Sequence, residues 1–382
     1  MKRHLALLTL ALLAFWSLSA QQARVVSPVL GDGTVTFSIA APSAKEVTLH
    51  GSWMNPNDNC YGTLVWDKSV EVIKMKKDRS GVWSCTIPAP APELYTYNFY
   101  VDGVYVMDYA NPFIQRDGLR LFSVLLLDGE LTENYAGATQ HGNVEMVWYE
   151  SKSLGMDRRM YVYTPYGYET CNRPYPVLYL LHGGGCDEDT WDSMGRATAI
   201  LDNLIQKGLA EPMIVVMPNG NPTQSSSPFL MNATPEGALE LARYRNAYVN
   251  SLVRDVIPYI EDHYRVIPDA DHRAVSGLSM GGGHTLAVTA AFPGVFNYIC
   301  PMGCGGRRDE TFVADLRRIK DAGYKLYWIG VGDSDFTYGG AKVLDELLTE
   351  NGMKHTFYVK DGGHTWSNWR IFLNEMLPLL FK

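Results

Sequence analysis

Dense runs of Lys or Arg are missing from the 382 residues, and the formal charge of −8 sums 33 basic against 41 acidic side chains. Binding to a phosphate backbone draws on clustered positive charge, so a nucleic-acid partner is excluded and an anionic membrane surface is disfavoured. Cysteine is scarce: Cys60, Cys85, Cys171, Cys186, Cys300 and Cys304 are all there are. Cys300 and Cys304 have no second Cys or His pair at ligand spacing, and no HExxH occurs, so no metal is expected and buried thiols are the reading for this pair. An internal repeat and a low-complexity tract are likewise absent, which excludes a repeat architecture.

Long apolar runs are also wanting. The stretch Leu5 to Trp16 is shorter than the roughly twenty residues a membrane span needs. With Lys2 and Arg3 before it and small residues after it, residues 1–20 read as a secretory signal cut near Ala20. That reading makes the mature protein secreted or periplasmic, with no membrane contact after the signal is removed. An oxidising compartment permits disulfides, with Cys60 and Cys85 as one candidate pair.

What is present divides into two grammars. From residue 21 to about 130, Val35, Phe37 and Ile39 alternate with Thr and Ser, and Tyr95, Tyr97, Phe99 and Val101 alternate with smaller partners. Frequent turn residues between such runs predict an all-β, immunoglobulin-like sandwich. The polar stretch 131–142 is expected as a linker. Over 143–382 short apolar runs, among them Val177 to Leu181 and Leu326 to Val331, alternate with helical candidates such as Met280 to Ala291 and Trp366 to Leu380. This pattern predicts an α/β domain with a mostly parallel sheet covered by helices.

The segment SGLSMGGGH, residues 276–284, sets Ser279 among glycines directly after the apolar Ala274 and Val275 and before a helical run ended by Pro293. A serine nucleophile needs such a strand–turn–helix setting, because its hydroxyl must project from a tight turn with small neighbours. It also needs a base, and an acid to hold that base in the right tautomer. GVGDSD puts Asp333 and Asp335 at the carboxyl end of one apolar strand, and DGGHTW puts His364 in a loop after the next. The chain order Ser, Asp, His and the position at strand carboxyl ends agree with an α/β-hydrolase triad, with either aspartate as the acid. Upstream, PVLYLL runs into HGGGC, whose glycines let a backbone N–H turn outward. The amides of Gly184 and Met280 are the expected oxyanion hole.

The aromatics Trp191, Phe229, Phe336, Tyr338, Trp366 and Trp369 stand near these loops and are candidates to line an acyl pocket, against core packing for each taken singly. Trp191, Phe336, Tyr338 and Trp366 are the expected substrate-binding residues among them. His182, His272, His284 and His355 read as packing or capping residues. No cofactor is required by this chemistry, and the oligomeric state is left open by the sequence.

The blocks RRMYVYTPYGYE, YPVLYLLHGGGCDEDTW, MIVVMPNG, HRAVSGLSMGGGHTLA, WIGVGDSDF and GGHTW together resemble the esterase-D-like α/β-hydrolases, in particular carbohydrate esterase family 1, the feruloyl and acetyl xylan esterases. The resemblance implies a serine esterase acting on feruloylated arabinoxylan or xylo-oligosaccharides, with acetyl xylan or a ferric siderophore ester of the enterobactin type as alternative substrates. A mycolyltransferase-like transfer to a sugar shares the same triad. In that family the acid sits in a Gly-x-x-Asp segment, which matches Gly332 and Asp335 and so favours Asp335. Cys186 departs from the glycine common at that place. The amino-terminal GVWSCTIPAP, YTYNFYVDG and DYANP are similar to a family 48 carbohydrate-binding module, for which Trp53, Trp66 and Trp83 are candidate stacking residues. A glycan-binding protein with a decayed hydrolase domain is the competing class, and the intact serine, histidine, acid and glycine loop speak against it.

Overall fold

In the computed structural model residues 25–54, 72–117, 120–227 and 246–382 are described. The expected signal segment, Cys60, Trp66 and Phe229 lie outside them.

Alternation along the amino-terminal strands produces two antiparallel sheets that share one core. Four strands run in the order Val29–Gly31, Thr34–Ala40, Val82–Pro88 and Lys76–Lys77. The second sheet runs Ile73–Lys74, Val47–Gly51, Leu94–Val101, Arg120–Leu126 and Ile114–Asp117, with Val104–Val106 beside Leu94–Val101. Val35, Phe37, Val47, Leu49, Tyr97 and Phe99 turn inward between the sheets, as period-two alternation requires. Two of the tryptophans proposed for sugar stacking are used in packing. Trp83 is buried and donates its Nε1–H to Ala41 O at 2.9 Å, and Trp53 stacks on Phe37 with 5.6 Å between rings.

The second domain is an eight-stranded sheet in the order Asn143–Ser151, Met156–Thr164, Ile214–Pro218, Val177–Leu181, Arg273–Leu278, Tyr298–Met302, Leu326–Gly332 and Thr356–Lys360. The first two pairings are antiparallel and the rest parallel. Central strands such as Val177–Leu181 and Ile214–Pro218 are buried at every position, because helices cover both faces. Ala197–Gln206 and Trp366–Met376 pack on one face, where Leu178, Leu180 and Trp328 point. The helical turns through Leu252–Val256 and Ile257–His263 cover the other, against Tyr179, Leu181 and Val275.

The two domains are tied together by buried charge. Arg370 donates to Glu93 Oε1 at 3.1 Å and to the carbonyls of Met194 and Leu94, and both side chains of the ion pair are buried. Arg116, on the edge strand of the sandwich, pairs with Asp187 at 2.5 Å and with Asp189. Gln115 donates to Ser193 O at 2.6 Å. The stretch expected as a linker is itself anchored. Tyr135 is fully buried in the hydrolase core, and Thr139 and Gln140 donate backbone N–H groups to Gln206 Oε1.

Candidate active site

The strand Arg273–Leu278 ends in the sharp turn that the glycines of 276–284 foretell. Ser279 has φ 52° and ψ −112° and is followed at once by the helix Met280–Ala291. A non-glycine residue with positive φ is uncommon, and such strain, about 1–3 kcal/mol, tends to be kept where a side chain must project. Two flanking glycines are fixed by close approach. A Cβ at Gly277 would lie 2.6 Å from the Gly281 backbone, and one at Gly281 would lie 2.4 Å from Leu181 O. The Ser279 N–H donates to Met302 O at 2.9 Å, which holds the turn against the neighbouring strand.

His364 follows the strand Thr356–Lys360, is fully buried, and donates Nδ1–H to Asp335 Oδ2 at 2.7 Å. Asp335, after the strand Leu326–Gly332, accepts two further hydrogen bonds on Oδ1, from Thr337 N and Thr337 Oγ1, each 2.7 Å. Burial on its own would raise this carboxyl's pKa, but the bonds from His364 and Thr337 outweigh burial and hold it below the ordinary carboxylate value. Asp333 has different work. It is exposed and accepts from Gly362 N at 3.0 Å and Ser334 Oγ at 2.9 Å, so it pins the loop beside the histidine. The geometry therefore separates the two aspartates that spacing left equal. With Nδ1 held by Asp335, Nε2 is the nitrogen of His364 suited to serve the hydroxyl of Ser279, and both residues line one pocket.

The glycine loop after Val177–Leu181 forms another part of that pocket. Gly183, Gly184, Gly185 and Cys186 all line it. A Cβ at Gly183 would meet Leu278 Cδ1 at 2.4 Å, and Gly185 has φ 78°. His182 fixes the base of the loop: its Nδ1–H donates to Gly183 O at 2.8 Å and its Nε2 accepts from Gly220 N at 2.6 Å. Complete burial pushes its pKa down, consistent with the neutral ring that this pattern needs. Met280 N–H belongs to the first turn of a helix, where no helical carbonyl can take it. Met280 follows Ser279 directly in the chain, and Gly184 lines the same pocket as Ser279.

The cavity is roughly 250 Å³, just below the usual range of ligand sites. Leu278, Phe336, Trp366 and Trp369 supply its apolar surface. Phe336 is 66% exposed and tilts against the His364 ring at 4.5 Å. Two expected substrate-binding residues stand elsewhere. Trp191 is buried behind Trp366, edge-on at 5.5 Å, and donates to Leu181 O at 3.0 Å. Tyr338 begins a helix and stacks on Phe357 in the core beneath the sheet. Two lining residues escaped the sequence reading altogether, because Asp117 and Arg120 come from the sandwich domain. An Asp-Gly step between two strands marks their hairpin in the sequence, but nothing local says where that hairpin docks. Among the described residues no group of His, Cys, Asp or Glu is arranged to hold a metal ion.

A model of the family described as "Putative esterase" matches residues 151–380, and one of carbohydrate-binding module 48, the isoamylase N-terminal domain, matches 23–114. An endo-1,4-beta-xylanase/feruloyl esterase of Xylanibacter ruminicola is 30% identical over 364 residues, covering 93% of this chain and 46% of that protein. An esterase of Mycobacterium tuberculosis is 30% identical over 237 residues, 60% of this chain and 46% of its own length. The chain thus spans about half the length of the curated relatives it matches. Among solved structures, a ferulic acid esterase is 28% identical with TM-score 0.52, covering 63% of this chain and 98% of its own. The enterobactin esterase of Shigella flexneri, at 17% identity and TM-score 0.64, covers 92% of this chain and 94% of its own, so the two-domain fold recurs there. Fold and family together define a carboxylic ester hydrolase of the α/β-hydrolase class. The chain belongs to the esterase family and carries a module-48-type β domain at its amino-terminal end.

Proposed function

We propose that the chain is an exported serine esterase that releases feruloyl and related hydroxycinnamoyl groups from arabinoxylan. The observation that carries this reading is the His364–Asp335 pair, joined at 2.7 Å, opening on the same pocket as the strained Ser279. Ser279 Oγ attacks the ester carbonyl while His364 Nε2 takes its proton, and Asp335 stabilises the imidazolium. The amides of Gly184 and Met280 hold the oxyanion. Collapse of the tetrahedral intermediate breaks the bond to the sugar oxygen, which leaves with the proton from His364. Water then attacks the acyl-enzyme, giving its proton to the same nitrogen. The free acid leaves and Ser279 regains its hydrogen.

The acyl preference rests on the walls. Trp366, Trp369 and Phe336 favour a flat aromatic acyl group over acetate, which would leave most of that apolar surface unused. The xylanase/feruloyl esterase and ferulic acid esterase relatives support the same substrate class. The siderophore alternative draws on the enterobactin esterase likeness over both domains. The net charge of −8 disfavours a polyanionic catecholate. Export, with cleavage after residue 20, and a sandwich that ends near residue 130 are part of the same proposal.

The test is release of ferulate, acetate and a catecholate serine from their esters by wild type and by Ser279→Ala. Ferulate release that disappears in the variant supports the reading. Equal turnover by both proteins, or catecholate esters as the better substrates, removes it.

A further inference from the structure

The strands Ile114–Asp117 and Arg120–Leu126 belong to the amino-terminal sandwich, yet Asp117 and Arg120, at their facing ends, line the pocket that holds Ser279 and His364. Side-chain contacts with the second domain fix them there. Arg116 pairs with Asp187 and Asp189 in the segment that follows the glycine loop. Asp117 Oδ1 accepts from Cys186 Sγ at 3.2 Å, and its Oδ2 accepts from Trp366 Nε1 at 3.3 Å. Asp117 therefore touches both the end of the oxyanion loop and the aromatic wall beside His364. Arg120 is the cross-strand partner of Asp117 in the ladder, so its side chain leaves the sheet on the same face.

Resting on the feruloyl reading above, we propose that Arg120 is a specificity-determining residue, presenting its guanidinium to oxygen substituents on the ring of an aromatic acyl group, and that Asp117 is the positioning residue that sets the wall it works against. The chemistry follows from what else lines the pocket. The other walls are carbon surface from Leu278, Phe336, Trp366 and Trp369, together with the glycine loop. Those walls bind a ring without reading its substituents. Arg120 brings five N–H donors in a fixed fork and no acceptor, which suits phenolic and methoxy oxygens. Burial pushes the Asp117 carboxyl up, against the hydrogen bonds from Cys186 and Trp366 and the nearby Arg120 charge, which pull it down. A charge-assisted hydrogen bond to a ring oxygen discriminates where apolar contact does not, so selectivity for ring oxygens belongs to this hairpin while the catalytic relay belongs to the other domain.

The test compares kcat/KM for methyl ferulate with that for methyl cinnamate, which lacks both ring oxygens, using the full chain. In Arg120→Ala the ferulate-to-cinnamate ratio falls about tenfold or more, the scale of a lost charge-assisted hydrogen bond, and Arg120→Lys restores part of it. Asp117→Asn keeps the size of the side chain while replacing one acceptor oxygen with an amide; the loss then appears mainly in KM and is smaller than that of Arg120→Ala. A ratio within threefold of wild type in Arg120→Ala overturns the proposal, as does an equal loss on both esters. Thermal unfolding of each variant identifies any that fail to fold, and Arg120→Lys then carries the comparison on its own. If wild type hydrolyses neither ester, the feruloyl reading fails instead, so the two failures are distinct.

Discussion

Replacing Asp335 by Asn tests how the histidine is held. In the wild type Oδ2 takes the Nδ1–H of His364 and Oδ1 takes two donors from Thr337. An asparagine can keep its oxygen toward Thr337, and its amide then points donors at Nδ1, driving the imidazole proton to Nε2 where it blocks proton uptake from Ser279. Alternatively it can flip, satisfying His364 but facing its NH2 toward the N–H and O–H of Thr337. The first arrangement preserves two hydrogen bonds and is preferred. The wrong tautomer in a triad costs about four powers of ten in kcat, or about 5.4 kcal/mol of barrier. The assay is burst and steady-state release from an activated aryl ester, with circular dichroism to verify folding. Asp333→Asn serves as the comparison, because its exposed oxygen still accepts from Gly362 and activity should stay within about threefold. A fall of less than tenfold in Asp335→Asn, or an equal fall in Asp333→Asn, would refute the assignment of the acid.

The same pair sets a pH dependence. Because the folded pKa of Asp335 lies below its unfolded value, the pair's contribution is complete above about pH 4 and is lost as pH falls through the depressed value. The gap in unfolding midpoint between wild type and Asp335→Asn should therefore be widest near neutrality and shrink in acid; a constant gap from pH 7 to pH 3 contradicts the ion-pair account. At the domain junction, Glu93→Ala strands the buried guanidinium of Arg370, which keeps the carbonyls of Met194 and Leu94 and the Tyr135 ring but loses its counter-charge. The expected loss is about 3 kcal/mol or more in chemical denaturation, and a change below about 1 kcal/mol would mean the junction relaxes around the charge.

Local chemistry was readable from the sequence wherever the physics is local. A serine elbow needs small residues at fixed offsets, and Gly277 and Gly281 stand where a Cβ would strike backbone. Strand periods gave both the sandwich and the parallel sheet, and the order of Ser279, Asp335 and His364 followed from where strands end. Spacing alone could not separate Asp333 from Asp335, because neighbours two apart share a loop and only tertiary direction distinguishes them. Trp191 and Tyr338 illustrate the same limit: nearness in sequence to an active loop does not say whether an indole or phenol faces the cavity or the core. Asp117 and Arg120 lay beyond reach for a stronger reason. Their place in the pocket depends on how one domain docks on another, through Arg116, Asp187, Arg370 and Glu93, and such pairings leave no periodic trace.

The central claim, that Ser279 is a nucleophile made reactive by His364 and Asp335, is tested most directly by mapping covalent capture with an aryl phosphonate that mimics the tetrahedral intermediate. The account predicts one phosphonyl group per chain, found by peptide mass analysis on Ser279, with capture far slower in Asp335→Asn and nearly abolished in His364→Ala. Labelling of a different residue, or capture at Ser279 that proceeds as fast without His364 as with it, would contradict it.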